Sequence, residues 1–582
     1  MLLLITAITY VATLRFDFVY DDFPQIAYNP FLKTWRYVPQ FFVSSVWKQM
    51  SPLSPGSYYR PLFLLFSRVV YTVFSDRAPG WHLAALAMHL LVTWLTFLLI
   101  KKMTGQFTTA WLAALIFGLH PIHHEVIAWV SGMTESLFAV FFLLAFLAYL
   151  RSLEGPKALW VTLSCVFYAL ALLSKETAFV LPALIFADAW IRYAPEEKQS
   201  GPNRASRFRG AFNTAAPFLP IAILYLLVRY KVLSGLGHPA VHISTVTWLL
   251  TLPSLLLFYV KHWFFPIHFA EWYDVFYQRN LNLAGVLLPL AIVIALGVVV
   301  WRLRNRLGAK EVGYAVAWIV IPLLPALDLF LFGPDELVHD RYFYVPSIGA
   351  ALLVALVIER AAKTTLDKSK LELFGQPLRA VVAGFLLAIV LAFFGGQAAR
   401  YWSTDYNLFT RAQQIAPLNP TATNNLGAVL ISRREFDRAQ DLLEAAYKVQ
   451  PLDFRFPLNL GRVYYREGQY PKAEGFMLQA KALNPDLAET YVYLAEVELK
   501  QGRAKEAQEN LQRAVELNPY SAPFHTGYGV VLALNGDCPD AQRQFQAALD
   551  LNPGDPYATL QLYRCRAALA PAAPPSTKPG QP

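Results

Sequence analysis

The sequence predicts an all-α chain: a polytopic bundle of transmembrane helices, about eleven spans plus one re-entrant segment, followed by an α-solenoid. Three observations carry that prediction. Of 582 residues, 56% are hydrophobic and 15% charged, against roughly 25% charged in soluble domains, and the mean hydropathy is +0.36. Apolar runs of about 20 residues, each long enough to cross a hydrocarbon core of about 30 Å, recur from the start to about residue 398. Past about residue 403 the chain turns charged, Gln-rich and periodic. The expected organisation is a membrane domain over 1–402, a repeat domain of about four units over 403–569, and a disordered Pro-rich tail over 570–582.

Taken in order, the spans read as about 1–20, 82–100, 109–119, 132–150, 158–174, 177–191, 214–230, 283–301, 313–332, 342–359 and 380–398. The first opens at Met1 without a basic flank or a small-residue cleavage site, so it reads as a span and not as a removable signal. Five basic loops separate them: Lys101/Lys102; Arg151/Lys157; Arg192, Lys198, Arg204, Arg207 and Arg209; Arg302, Arg304, Arg306 and Lys310; and Arg360, Lys363, Lys368, Lys370 and Arg379. Positive loops stay cytoplasmic. This orients the N-terminus inside and everything after residue 398 outside. Residues 246–266 are apolar enough to cross, but crossing would put Arg302–Lys310 outside. They are therefore expected to be re-entrant or to lie against the bundle. Residues 61–75, short and carrying Arg68, read as an interfacial amphipathic helix. The net charge of +10 is explained by these loops, not by nucleic-acid binding. Three cysteines, Cys165, Cys538 and Cys565, form neither a disulfide framework nor a metal spacing. A Cys538–Cys565 bridge stays open if the repeats lie in an oxidising compartment.

The C-terminal periodicity is 34 residues. Pro417, Pro451, Pro485, Pro519 and Pro553 keep that step, as do Gly427, Gly461, Ala495 and Gly529. So do Arg434, Gly468, Gly502 and Gly536, and Ala439, Ala473, Ala507 and Ala541. Small residues at fixed offsets let paired antiparallel helices approach, and the Gly breaks the chain between them. This is the tetratricopeptide pattern. It fixes a fold and leaves the partner open, because packing alone explains every residue in it.

With that orientation, the outer face collects ionisable residues near span ends. The first outer loop carries Asp21 and Asp22, then Tyr58-Tyr59-Arg60-Pro61. The next hairpin carries His120, His123, His124 and Glu125, with Glu135 opening the following span; a tight hairpin holds Lys175 and Glu176. Later come His262, His268, Glu271 and Asp274, then Asp335, Glu336, His339, Asp340, Arg341 and Tyr342. Ionisable groups concentrated at one membrane face argue for a site there. A carboxylate at that boundary can act as general base on a hydroxyl. Arg60, Lys175 and Arg341 can neutralise a phosphate. Singly, each has a plainer reading. The acidic pair suits an interfacial flank, Lys175-Glu176 a local ion pair, Arg341-Tyr342 an aromatic belt, and Asp328 a bond to a neighbouring helix. Pro121 interrupts any helix joining His120, His123 and His124, so no metal is expected.

The order of these motifs is more specific than any one of them. Tyr20-Asp21-Asp22 follows the first span, with Tyr59-Arg60-Pro61-Leu62 after it; His82-Leu83 and His89 lie in the next span. His120-Pro121-Ile122-His123-His124-Glu125, Lys175-Glu176, Arg341-Tyr342-Phe343-Tyr344-Val345-Pro346-Ser347 and the repeats complete the series. This resembles the TMTC family, transmembrane and tetratricopeptide-repeat O-mannosyltransferases of the GT-C superfamily with bacterial relatives, over roughly residues 10 to 560. The resemblance implies a GT-C fold and an inverting transfer, of mannose by family analogy, from a polyprenyl- or dolichyl-phosphate sugar to a protein hydroxyl, without a metal. By analogy Asp22, preferred over Asp21, is the catalytic base. Arg60, His123, His124, Glu125, Glu135, Lys175, Arg341 and Tyr342 would bind the donor's phosphate or sugar, and the repeat groove the protein acceptor. Between Ser131 and Glu135 only Glu135 keeps the charge the family carries there. No Asn-x-Ser/Thr acceptor occurs in the chain, which leans towards a bacterial inner membrane with a periplasmic site over an ER lumen. Two other readings compete: a non-catalytic membrane-anchored repeat scaffold, and a lipid-linked glycan ligase or polymerase. The last would want several basic residues in one large outer loop.

Overall fold

The computed structural model describes residues 1–49, 52, 58–193, 204–235, 242–331, 333–364, 372–373 and 376–569. The expected loop residues Lys198, Lys368 and Lys370 and the tail 570–582 lie outside the described residues. The chain forms two compact units, Met1–Val46 with Pro55–Leu426, and Trp47–Ser54 with Gly427–Pro582. The division falls after the expected position at residue 402. The reason is local bonding: Asp405 accepts from the Tyr20 amide at 2.8 Å, and Arg411 donates to the Phe269 carbonyl at 3.0 Å.

Seven helices among the described residues are long and apolar enough to cross a membrane: Ala78–Thr104, Met133–Ser152, Lys157–Ser174, Arg204–Leu233, Leu283–Leu307, Ala309–Leu327 and Leu378–Arg400. Leu2–Arg15, Pro61–Phe74 and Phe107–Leu119 are shorter apolar helices. Phe107–Leu119 lies at the centre of the bundle, packed by Ala78–Thr104, Pro346–Thr364 and Leu378–Arg400. Only Phe107 and Trp111 of its residues escape full burial, which is why it is apolar all round. Helices approach closely where side chains vanish: a Cβ on Gly349 would come within 2.3 Å of the Ala315 carbonyl, the small-residue contact of membrane bundles. Leu283–Leu307 is the opposite case, with 11% of its apolar window buried and Leu288, Ile294, Val298 and Trp301 exposed. Such a face is stable against lipid and a liability in water.

Thr245–Phe264 is one uninterrupted helix running through Pro253, its first turn capped by Ser244 Oγ accepting from the Thr247 amide at 3.1 Å. It does not turn back on itself; it lies against the bundle, burying Leu255, Phe258, Tyr259 and Trp263. Both of its ends are tied to the stretch before helix Pro346–Thr364. Trp248 Nε1 donates to the Leu327 carbonyl at 2.8 Å, and His262 Nδ1 meets Asp340 Oδ1 at 2.7 Å.

The second unit stacks antiparallel pairs: Arg455–Arg466 with Tyr470–Leu483, Ala488–Lys500 with Ala504–Leu517, and Ala522–Leu534 with Cys538–Leu551, with Phe436–Val449 before and Pro556–Leu569 after. The 34-residue step has a physical cause at two offsets. A Cβ on Gly461 or Gly529 would meet Met477 or Phe545 of the paired helix at 2.8 and 2.7 Å. Between paired helices the backbone turns left-handed, with φ of +80° at Gly468, +78° at Gly502 and +87° at Gly536. The next amide then donates back five residues at 2.9 Å, as in Gln469 to Tyr464, closing the helix end. Arg434 holds the same place at φ +63°, where a side chain costs roughly 1–2 kcal/mol. Arg434→Gly is therefore expected to stabilise the repeats by about 0.5–1 kcal/mol, seen as a higher denaturation midpoint. An unchanged or lower midpoint would refute the assignment of strain.

Candidate functional site

The site is built where loops from the first unit converge. Tyr20 starts it, with φ of +52°. Its amide is held by Asp405, and its ring lies 5.3 Å from that of Trp272 and 5.8 Å from that of Phe409. That left-handed residue turns the chain so that the two following carboxylates have different fates. Asp22 is fully buried and accepts three bonds: from the Ser131 amide and Ser131 Oγ, each 2.7 Å, and from the Val19 amide at 3.2 Å. Asp21 stays partly exposed. Burial, then the neighbouring Asp22, pushes the Asp21 carboxyl up to about 7, against a lowering pull from Arg341.

Across from this loop lies a carboxylate-rich half. Arg341 Nη1 donates to Glu125 Oε2 and Glu271 Oε1, each at 3.0 Å. Glu125 also takes the Asp340 and Arg341 amides at 3.2 and 3.3 Å. Asp340 is buried among His262, His124 Nε2 at 3.2 Å and the Tyr273 hydroxyl, while Trp402 Nε1 donates to His124 Nδ1 at 2.8 Å. Burial raises the Glu271 carboxyl even though Arg341 opposes it.

A cation-rich half adjoins it. Arg60 forks onto Glu176 at 3.1 and 2.6 Å, Arg229 reaches the same carboxylate at 3.6 Å, and Lys175 pairs with Glu135. Three cations meet two carboxylates. The expected local Lys175–Glu176 pair is not formed, because each side chain finds a partner from another helix. Tyr342 joins the halves, with Lys175 Nζ 5.4 Å and Arg341 Cζ 5.3 Å from its ring centroid.

Burial sorts the site. Asp21, Tyr58, Arg60, Glu176, Arg341 and Tyr342 keep partial exposure, whereas Asp22, His123, His124, Glu125, Glu135 and Lys175 are buried. His123 turns into the bundle, bonding Ser347 Oγ at 2.9 Å with its ring 4.6 Å from that of Phe117. His120 stacks on Trp263 at 3.8 Å. Asp328 accepts only from the Phe330 amide within its own turn. Two groups place metal-type donors within 4.8 Å of one another, His124/Glu125/Asp340 and Glu125/Glu271/His339. Arg341 stands between the two glutamates and His124 bonds Asp340, whereas in the second group Glu271 Oε2 and His339 Nε2 are buried without a hydrogen-bond partner among the described residues.

Several of these residues had no assigned role in the sequence. His262, Glu271, His339 and Asp340 stood among the outer-face residues without a part to play, and Glu176 only as half of a local ion pair. Ser131, Arg229, Tyr273 and Trp402 carried no signal, since only three-dimensional contact places them here.

The family model described as "Tetratricopeptide repeat" matches residues 424–488 and 494–556. The mouse (Mus musculus) protein O-mannosyl-transferase TMTC4 is 26% identical over 475 residues, 71% of this chain and 61% of the relative. Mouse protein O-mannosyl-transferase TMTC3 is also 26% identical over 475 residues, 75% of this chain and 49% of its own.

The chain's curated homologues are TMTC-family O-mannosyl-transferases.

The chain spans about half to three-fifths of the length of these TMTC relatives. Similarity over more than 70% of the chain cannot come from the repeats alone. It reaches into the first unit. Among solved structures, YrrB, a TPR protein with an unusual peptide-binding site, is 26% identical, covering 28% of this chain and 82% of its own with a TM-score of 0.24.

Proposed function

We propose that this chain is a membrane glycosyltransferase that moves a sugar, mannose by analogy with its TMTC relatives, from a polyprenyl- or dolichyl-phosphate to a protein hydroxyl on the extracytoplasmic side. The observation that carries this reading is the make-up of the site: the partly exposed Asp21 carboxylate within electrostatic reach of Arg341, and a cluster of three cations on two carboxylates that meets Arg341 at the Tyr342 ring. In the reaction, the acceptor oxygen attacks the sugar's anomeric carbon as the bond to the lipid phosphate breaks. The acceptor's proton passes to Asp21, and the departing phosphate is held by the partly exposed Arg60, with the buried Lys175 adding positive charge beside it; their carboxylate partners keep both oriented. Inversion follows from attack opposite the leaving group.

Family analogy favoured Asp22 over Asp21 as the base. The geometry leads us to Asp21, because Asp22 spends its lone pairs on Ser131 and Val19 and has no exposed surface. Asp22 then positions the loop. Glu125 and Glu271 hold Arg341, and the buried histidines fix Asp340. Arg341 and the basic cluster carry the positive charge, so the reading needs no metal. The repeats would present the protein acceptor, consistent with a domain built for protein contact.

The test is transfer in proteoliposomes containing the full chain, polyprenyl-phosphate mannose and a Ser/Thr-containing acceptor protein. Sugar is expected on the acceptor from the lipid donor and not from a nucleotide sugar. In the same assay Lys175→Met is expected to raise the donor KM at least tenfold. Transfer from the nucleotide sugar alone would overturn the donor assignment.

A further inference from the structure

Cys538 and Cys565 are the only cysteines of the second unit, and the fold brings them together across 27 residues. Cys538 begins helix Cys538–Leu551, and Cys565 lies on the packed face of Pro556–Leu569. Their Sγ atoms are 3.1 Å apart, inside the roughly 3.5–4.0 Å of ordinary unbonded carbon contacts. Only about 1 Å of closure separates them from a disulfide of about 2.05 Å. The surroundings suit a permanent bond: Cys565 packs with Leu532, Phe545 and Leu562 and is 4% exposed, while Cys538 borders that cluster with some exposure. Pro556–Leu569 packs on Cys538–Leu551 and Ala522–Leu534, the last helix of the described solenoid.

We infer that Cys538 and Cys565 form a disulfide that staples helix Pro556–Leu569 to helix Cys538–Leu551. The oxidant is a reactive disulfide of the thiol–disulfide exchange class found in oxidising compartments. The accessible Cys538 thiolate attacks it, forming a mixed disulfide and releasing one thiolate. Cys565 then attacks Cys538 Sγ and releases the second. The oxidant gains two electrons, and the two cysteine protons end on its thiols. The inference rests, for its oxidant alone, on the extracytoplasmic placement of the repeats.

The experiment uses the full chain in its membrane. Cells are quenched in acid, denatured and alkylated with a light maleimide, then reduced and alkylated with a heavy one. Peptides carrying Cys538 and Cys565 should bear heavy label, and that of Cys165 light label. Cys565→Ser should lower the unfolding midpoint of the repeats by roughly 5–15 °C, and reductant should do the same to the wild type but not to the variant. Light label on both cysteines from cells overturns the inference. Exposing the extracted protein to oxidised glutathione then locates the failure. Closure there means that the repeats lie in a reducing compartment. No closure means that the geometry itself fails, with the glycosyltransferase reading untouched.

Discussion

Replacing Asp21 by Asn is expected to cut sugar transfer by about 10²–10⁴-fold, the usual worth of a positioned general base, with membrane insertion and thermal stability unchanged. Asn is nearly isosteric with Asp and keeps the hydrogen-bonding shape of the loop, but it cannot take the acceptor's proton. The pH profile should carry the same information. Burial and Asp22 hold the Asp21 carboxyl near 7, so below that pH it is protonated and idle. Transfer by the wild type should fall tenfold per pH unit on the acid side of about 7 and level off above it. Asp21→Asn should lose that limb. Asp22→Asn should behave differently, because its amide nitrogen would face donors that now meet a carboxyl oxygen. The expected cost is about 1–3 kcal/mol of stability, with most of the activity retained per folded molecule. A wild-type rate from Asp21→Asn would remove the base assignment.

Arg341→Met is expected to be the most damaging single change to the fold of the site, at about 3–5 kcal/mol. It leaves Glu125 and Glu271 buried without their shared cation. Arg341 is 16% exposed, and its two partners are at most 2% exposed, so water offers little relief. The account makes a sharper claim through compensation. Removing the two charges as well, in Glu125→Gln/Glu271→Gln/Arg341→Met, should recover much of the lost stability while leaving transfer abolished. Thermal unfolding of the detergent-extracted protein checks both parts. If Arg341→Met unfolds within a degree of the wild type, the ion-pair triad is not what holds these loops together.

How much of this was legible in the sequence follows from the range of each signal. The repeats are read directly because their cause is local and recurs: the same left-handed turn and the same helix-to-helix gap every 34 residues. Burial of Phe107–Leu119 in the bundle explains why a helix too short for an ordinary span is apolar on every face. The sequence placed Asp21, Glu125 and Arg341 on one face because the basic loops oriented the spans, and the fold brings Glu125 and Arg341 into a direct pair. It preferred Asp22 to Asp21 by analogy alone; the proposed choice of Asp21 depends on Ser131, more than a hundred residues away, and on the left-handed φ of +52° at Tyr20. Nor could it separate His123 from His124, adjacent in sequence, one buried against Ser347 and the other facing Asp340. Hydropathy finds helices but not the partners of buried polar groups, which is why Arg229 and Trp402 came only with coordinates.

The most direct test is an experimental density map of the full chain extracted with a polyprenyl phosphate bound. The account predicts the phosphate within hydrogen-bonding reach of Lys175 or Arg60 beside the Tyr342 ring, with the Asp21 carboxylate facing the space where the sugar would sit. A phosphate resting at some other part of the bundle, with Asp21 more than about 20 Å from it, two helix diameters away, would contradict it.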